Sequence, residues 1–179
     1  PNPQIWEESG DNRYTAIEQH DADAFAWSTE SFEGDLRVSL DLKSAVEALD
    51  LGRSEMESQF PNQNSGCAII YGDGNVHSYG SLIFCVDWDG YYLHKHTIYH
   101  EDEPLAFIPI DNDSDKVYSV TIEIIDDLAS MYANGEKVLT SFFDTEEIDR
   151  SGRIGLLRNW FEGEITFSNI QIKTPGDGD

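Results

Sequence analysis

Three short stretches of this 179-residue chain combine flat rings with planar polar groups. YGDGN (71–75), DWDGYYLH (87–94) and RNWFEGE (158–164) each set Trp or Tyr beside Asp, Glu, Arg or His. That mixture suits a sugar. An aromatic face covers the C–H side of the ring, and carboxylate or guanidinium groups make paired hydrogen bonds to neighbouring hydroxyls. Such a site would draw on Tyr71, Asp73, Trp88, Asp89, Tyr91, His94, Arg158 and Trp160. Trp88 and Trp160 stand at turns beside charged residues, where each either stacks on a ligand or caps the edge of the core with its N–H bonded.

Other chemistry is less well supplied. In HKHTIYH (94–100), His94 and His96 share a strand face and could chelate zinc, but no third ligand is fixed by spacing, and exposed strand histidines are far commoner than ligands. DNDSD (111–115) has the oxygen-rich spacing that calcium accepts, through Asp111, Asp113 and Asp115. It lacks the glycine and the downstream Glu of an EF-hand loop, and a solvated turn before the KVYSVTIEII strand is the stronger reading. There is no Gly-x-Ser-x-Gly elbow, no phosphate loop and no Cys–His spacing that marks a nucleophile. No cofactor is required, and calcium is the candidate ion.

Charge narrows the partners. There are 35 acidic against 11 basic residues, a formal net charge of −24. Nucleic acid and anionic membrane surfaces are both recognised by clustered Lys and Arg, so neither is expected. A neutral polysaccharide or oligosaccharide is compatible, although most of these acids serve solubility. No run is apolar and long enough to span a bilayer. Cys67 and Cys85 are too few for a disulfide scaffold, but they lie symmetrically about the region near Val76 and could face each other across a hairpin. Buried free thiols are the competing reading.

The elements that must position these residues are strands. DLRVSLDL (35–42) puts Leu36, Val38, Leu40 and Leu42 on one face. CAIIYG (67–72), SLIFCVDW (81–88), YYLHKH (91–96), KVYSVTIEII (116–125), ASMYA (129–133), EKVLTSF (136–142), RIGLL (153–157) and GEITFSNIQI (163–172) follow. Asn134-Gly135 between two of them is the strongest short hairpin signal in the chain, because a type I′ turn needs positive φ at both central residues. Residues 44–60 could hold a helical turn or two inside a long connection, and 143–152 one short turn. Ten or more short strands with frequent turn signals predict an all-β fold, a two-sheet antiparallel sandwich or jelly roll. Residues 1–173 read as one module and 174–179 as a linker tail, as in a piece of a longer secreted, extracellular protein.

The order MYANGEKV, SGRIGLL, GEITFSNIQI resembles the C-terminal half of concanavalin A-like (laminin-G-like) sandwiches, and FAWSTESFEGDLRVSLDLK (25–43) resembles their first half. The groups it is most similar to are the family-66 carbohydrate-binding modules, which recognise fructan ends, and the C-terminal sandwich of family-32 glycoside hydrolases. The resemblance implies a non-catalytic module that binds fructan of the levan or inulin type, attached to a catalytic domain in its parent chain. The alternatives are an accessory sandwich that packs on a catalytic domain with no ligand of its own, and a glycoside hydrolase. The Glu and Arg that those modules use align with Ser39 and Tyr71, so their fructose site does not carry over. Glucanases of this fold use a Glu–hydrophobic–Asp strand followed by a second Glu; EIDRSG (147–152) has Gly152 in that place, which argues against catalysis.

Overall fold

The computed structural model describes residues 6–10, 12–16, 24–44, 66–72, 80–87, 90–95, 104–110, 116–148, 150–158 and 164–174. In chain order their strands are β1 (Trp6–Ser9), β2 (Arg13–Ala16), β3 (Ala24–Trp27), β4 (Phe32–Glu33), β5 (Leu36–Ser44), β6 (Gly66–Gly72) and β7 (Leu82–Asp87). There follow β8 (Gly90–Lys95), β9 (Ala106–Pro109), β10 (Val117–Ile125), β11 (Leu128–Ala133), β12 (Glu136–Phe142), β13 (Ser151–Arg158) and β14 (Ile165–Lys173). The first sheet runs β1-β2-β14-β5-β10-β11-β12 and the second β3-β13-β6-β7-β8-β9, with β4 also paired to β13. All pairings are antiparallel. This is the sandwich that the alternation requires: Leu36, Val38, Leu40 and Leu42 of β5, with Tyr118, Val120, Ile122 and Ile124 of β10, are buried against Ile69, Phe84, Leu93 and Leu156 of the second sheet.

The outward face of the first sheet is polar along its middle. Its neighbours pair hydroxyl to hydroxyl, Ser39 with Thr121 at 3.1 Å and Ser130 with Thr140 at 3.0 Å, and Arg37 meets Glu123 at 3.5 Å. Cross-strand pairs of this kind help to set register, and the solvent-facing Arg37–Glu123 pair adds little stability.

The β11–β12 turn is of the expected kind. Asn134 and Gly135 both take positive φ, 52° and 84°. Asn134 also extends the neighbouring ladder: its backbone N–H donates to the Ser119 carbonyl at 2.7 Å, and the Ser119 N–H donates to its Oδ1 at 3.1 Å. A Cβ at Gly135 would meet nothing within 4 Å, so the cost of a side chain there is purely conformational. Gly135→Val is expected to lose about 1–3 kcal/mol in urea unfolding, and Gly135→Asn to lose much less, because Asn tolerates the left-handed region.

Three features differ from the sequence reading. The β6–β7 register sets Cys67 against Val86 and Ala68 against Cys85, one residue away from the pairing that a disulfide between Cys67 and Cys85 needs. A one-residue offset moves a position to the other face of a strand, and Cys85 is buried and in no disulfide. The short strands β1 to β4 and β9 went unread, being two to four residues long. And β14 carries a bulge: its register with β5 shifts between Ser168 and Gln171, with Asn169 at φ 54° and its Nδ2 donating to Asp41 Oδ2 at 2.7 Å. Before the bulge Ile165 and Phe167 turn inward; after it Ile170 and Ile172 do. The turn at 143–152 is as expected, the Glu147 and Ile148 N–H groups donating to the Asp144 carbonyl at 3.1 and 2.9 Å. The helical turn considered for 44–60 lies on residues 45–60, outside the described ones.

Candidate glycan-binding surface

Four of the eight residues that the sequence grouped are described, and these four do not share one open rim. Tyr71 and Tyr91 point into the inter-sheet core, 1 % and 3 % exposed, and the Tyr71 hydroxyl donates to the Phe32 carbonyl at 3.4 Å. Burial, with Tyr118 nearby, pushes the Tyr91 hydroxyl up to about 12. Arg158 is the last residue of β13 and is fully buried, on the same inward side as Ile154 and Leu156. None of these three lies on an open rim. His94 belongs to the opposite face, because it is three positions from Tyr91 along one strand. Asp73, Trp88, Asp89 and Trp160 lie outside the described residues, as do His96, His100, Asp111, Asp113 and Asp115. Among the described residues no three His, Cys, Asp or Glu side chains are grouped to hold a metal.

The outward face of the second sheet is apolar in two straight rows. One crosses Trp27, Gly155, Ile70, Ile83 and His94; the other crosses Phe25, Leu157, Ala68, Cys85, Tyr92 and Phe107. Gly155 is required in the first row, since a Cβ there would sit 2.7 Å from the Trp27 indole that lies across it. The middle is closed to solvent: Ile70, Ile83, Cys85 and Leu157 form a second buried cluster. The sheet is therefore packed on both faces, and neither row carries a carboxylate.

The rings come to the surface at the β8–β9 edge. Phe107 is 40 % exposed and stacks on Tyr92 at 4.3 Å between centroids, with 22° between planes. Tyr92 stacks in turn on His94 at 5.6 Å and 12°. β9 can come this close because β8 begins at Gly90, where a Cβ would be 2.3 Å from the Ile108 carbonyl oxygen. Burial lowers the His94 imidazole to about 4, so at neutral pH it is uncharged. The result is an open ring face backed by a second ring and a neutral imidazole, which is what the apolar side of a sugar requires.

Sequence reasoning took Tyr91 and passed over Tyr92 beside it. The choice between them is a choice of strand face, and both faces of β8 are apolar. Phe107 was hidden in a proline-containing connection; Pro109 ends β9, an edge strand, where a missing N–H costs no ladder bond.

The glycosidase test has a structural answer in the same sheet. At Gly152 a Cβ would lie 2.7 Å from the Gly72 carbonyl oxygen, so no side chain, and no Glu, fits there. Glu147 is engaged with Lys95 at 2.8 Å.

No protein-family model and no curated protein matches the sequence. Solved structures do match in fold. A carbohydrate-binding module, CBM66, of Bacillus subtilis superposes with a TM-score of 0.67 at 16 % identity, over 94 % of this chain and 91 % of that one. A putative glycosyl hydrolase of Parabacteroides distasonis gives 0.64 at 15 % identity, over 98 % and 92 %. The Bacillus licheniformis β-glucanase gives 0.60 at 10 % identity, over 96 % and 83 %. The fold is a concanavalin A-like β-sandwich, as the resemblance implied. Identities this low establish architecture and leave the ligand to the site.

Proposed function

We propose that this chain is a non-catalytic glycan-binding module of a secreted, glycan-active protein. The observation that carries the reading is the exposed Phe107 ring stacked on Tyr92 beside neutral His94, at the edge of a face closed in its middle. A hydrolase that draws a polymer across a sheet needs an open face and two opposed carboxylates. The two rows have neither, and Gly152 has no room for one. A small edge platform suits a chain end, and fructan ends of the levan or inulin type are the first candidates on the family-66 resemblance. The test is calorimetry against levan, inulin and β-glucans, with reducing-sugar release measured in parallel. One or two stacking rings imply a dissociation constant of roughly micromolar to millimolar. Phe107→Ala is expected to weaken binding about ten-fold or more with folding intact. Unchanged binding would move the site elsewhere, and sugar release above a heat-killed control would make the chain an enzyme.

A second reading, docking on a catalytic domain of the parent chain, is favoured by one observation. Ile125, Leu128 and Phe142 align across β10, β11 and β12, with Ile125 49 % and Phe142 69 % exposed. Ile108 and Ile110 are also open, on and just after β9, which lies against β12. An apolar patch of that kind fits a protein contact. Phe142→Ser leaving glycan binding unchanged while abolishing association with the parent's catalytic domain would assign the two surfaces separate roles.

A further inference from the structure

At the other margin of the sandwich, far along both sheets from β9 and β12, the two sheets part to leave a cleft of about 500 Å³. Its floor comes from both layers. Phe32, Ile154 and Leu156 line it from the second sheet, and Tyr14, Ile170 and Ile172 from the first. The β14 bulge makes this wall: without the extra residue, Gln171 and Lys173 would take the inward positions that Ile170 and Ile172 now hold. The bulge is fastened twice, by Asn169 to Asp41 and by the Asn12 amide, which donates to the Ile170 carbonyl at 3.4 Å. Asn12 itself takes a left-handed φ of 52° to do so.

The mouth has one sign of charge. Glu8 of β1 and Glu30 of the β3–β4 connection line it, one from each sheet, and no lining residue is basic. Tyr14 donates to Glu8 Oε1 at 3.5 Å, and its hydroxyl is raised above its ordinary pKa by burial first and by the Glu8 charge second. Two neutral polar groups at the mouth, Asn12 and Ser28, serve the fold. Ser28 Oγ donates to the Glu30 carbonyl at 2.7 Å and accepts the Ile154 N–H at 3.1 Å, which fixes the Glu30 segment against β13. The charged groups that the mouth presents to a ligand are carboxylates. They accept hydrogen bonds only, and they favour a positive partner.

We propose that this cleft is a second binding site, for a small organic cation: an ammonium head held between Glu8 and Glu30, with an apolar body on the isoleucine floor. The volume is that of an ordinary small-molecule pocket. The chain's net charge of −24 concentrates cations around it and repels anionic ligands of the same shape. The site is independent of the glycan surface, and either stands if the other fails.

The experiment is an amide-resolved NMR titration of the whole chain at low ionic strength with three probes of one shape: 2-phenylethylammonium, 2-phenylethanol and phenylacetate. Shifts localised to Tyr14, Ile154, Ile170 and Ile172 with the ammonium, at least about ten-fold weaker with the alcohol and absent with the acid, are the expected result. Glu8→Gln with Glu30→Gln should weaken the ammonium about ten-fold while leaving the thermal midpoint unchanged, since both side chains lie at the solvent-facing mouth. Ile170→Trp, which fills the floor, should abolish the ammonium and alcohol responses alike. Equal affinity for alcohol and ammonium, shifts scattered over the acidic surface, or no localised shift up to about 10 mM ammonium would each overturn the proposal.

Discussion

Ile83→Ala is expected to destabilise the protein by about 2–5 kcal/mol, as much as truncating a residue between the sheets. Ile83 is on the outward face of β7, yet its exposure is 0 %, the same as that of Phe84 on the inward face. It is flanked in its row by Ile70 and His94, and its cluster includes Cys85 and Leu157. Removing buried carbons costs their transfer free energy and also leaves a cavity, because the rigid sheet cannot collapse into it. Urea unfolding of Ile83→Ala and Phe84→Ala side by side gives the measurement. If the outward face were an open groove for a polymer, Ile83→Ala would cost well under 1 kcal/mol and Phe84→Ala alone would be severe. That outcome would reopen the hydrolase reading, because the closed middle of the face is one of the two grounds against it.

The sheets were legible because period-two alternation is a strong signal where one face meets water. β5 and β10 show it: Leu36, Val38, Leu40, Leu42, Tyr118, Val120, Ile122 and Ile124 point inward, and Arg37, Ser39, Asp41, Ser119, Thr121 and Glu123 between them point outward. The second sheet weakens the same signal. With both faces packed, β6, β7 and β8 read as continuous apolar runs, and the pattern does not say which way each residue points. Tyr91 was chosen over Tyr92 for that reason, and the register of Cys67 and Cys85 was missed by one for the same reason. Arg158 shows a different limit. A basic residue before an aromatic turn reads as exposed, and only the third dimension reveals that β13 carries it inward at 0 % exposure.

The bulge and the edge strands were illegible for reasons of length. β14 reads ITFSNIQIK, and the shift of inward positions from Ile165 and Phe167 to Ile170 and Ile172 has one local marker, Asn169, a residue that tolerates left-handed backbone. A bulge turns on such a marker together with a partner strand, and the partner is distant in sequence. The cleft that the bulge opens was therefore beyond the reach of any motif. So was the β8–β9 ring stack, which joins residues fifteen apart through a pairing of Tyr92 with Phe107.

Acidification should unfold this protein through His94 more than through any surface group. The imidazole is lowered from 6.5 to about 4 by burial. In the unfolded chain it protonates at its ordinary value, so between those two limits the unfolded state binds the proton and the folded state does not. Stability is then fully present above about pH 6.5 and is lost progressively as pH falls toward about 4, where the folded form is at last protonated too. The slope is roughly 1.4 kcal/mol per pH unit, and the whole loss is on the order of 3 kcal/mol. Carboxylates also titrate toward the lower end, and neutralising them relieves the repulsion of a chain at −24, which acts in the opposite direction. A difference removes that background: urea unfolding of the native sequence and of His94→Gln, each at pH 7 and near pH 4.5. The native protein should lose about 2 kcal/mol more than the variant across the interval. Because His94 stacks on Tyr92, and Tyr92 supports Phe107, glycan affinity should fall over the same range in the native chain. Parallel pH curves for the two proteins would mean that His94 takes up its proton in the folded state without cost, and that the ring stack rests on something other than a neutral imidazole.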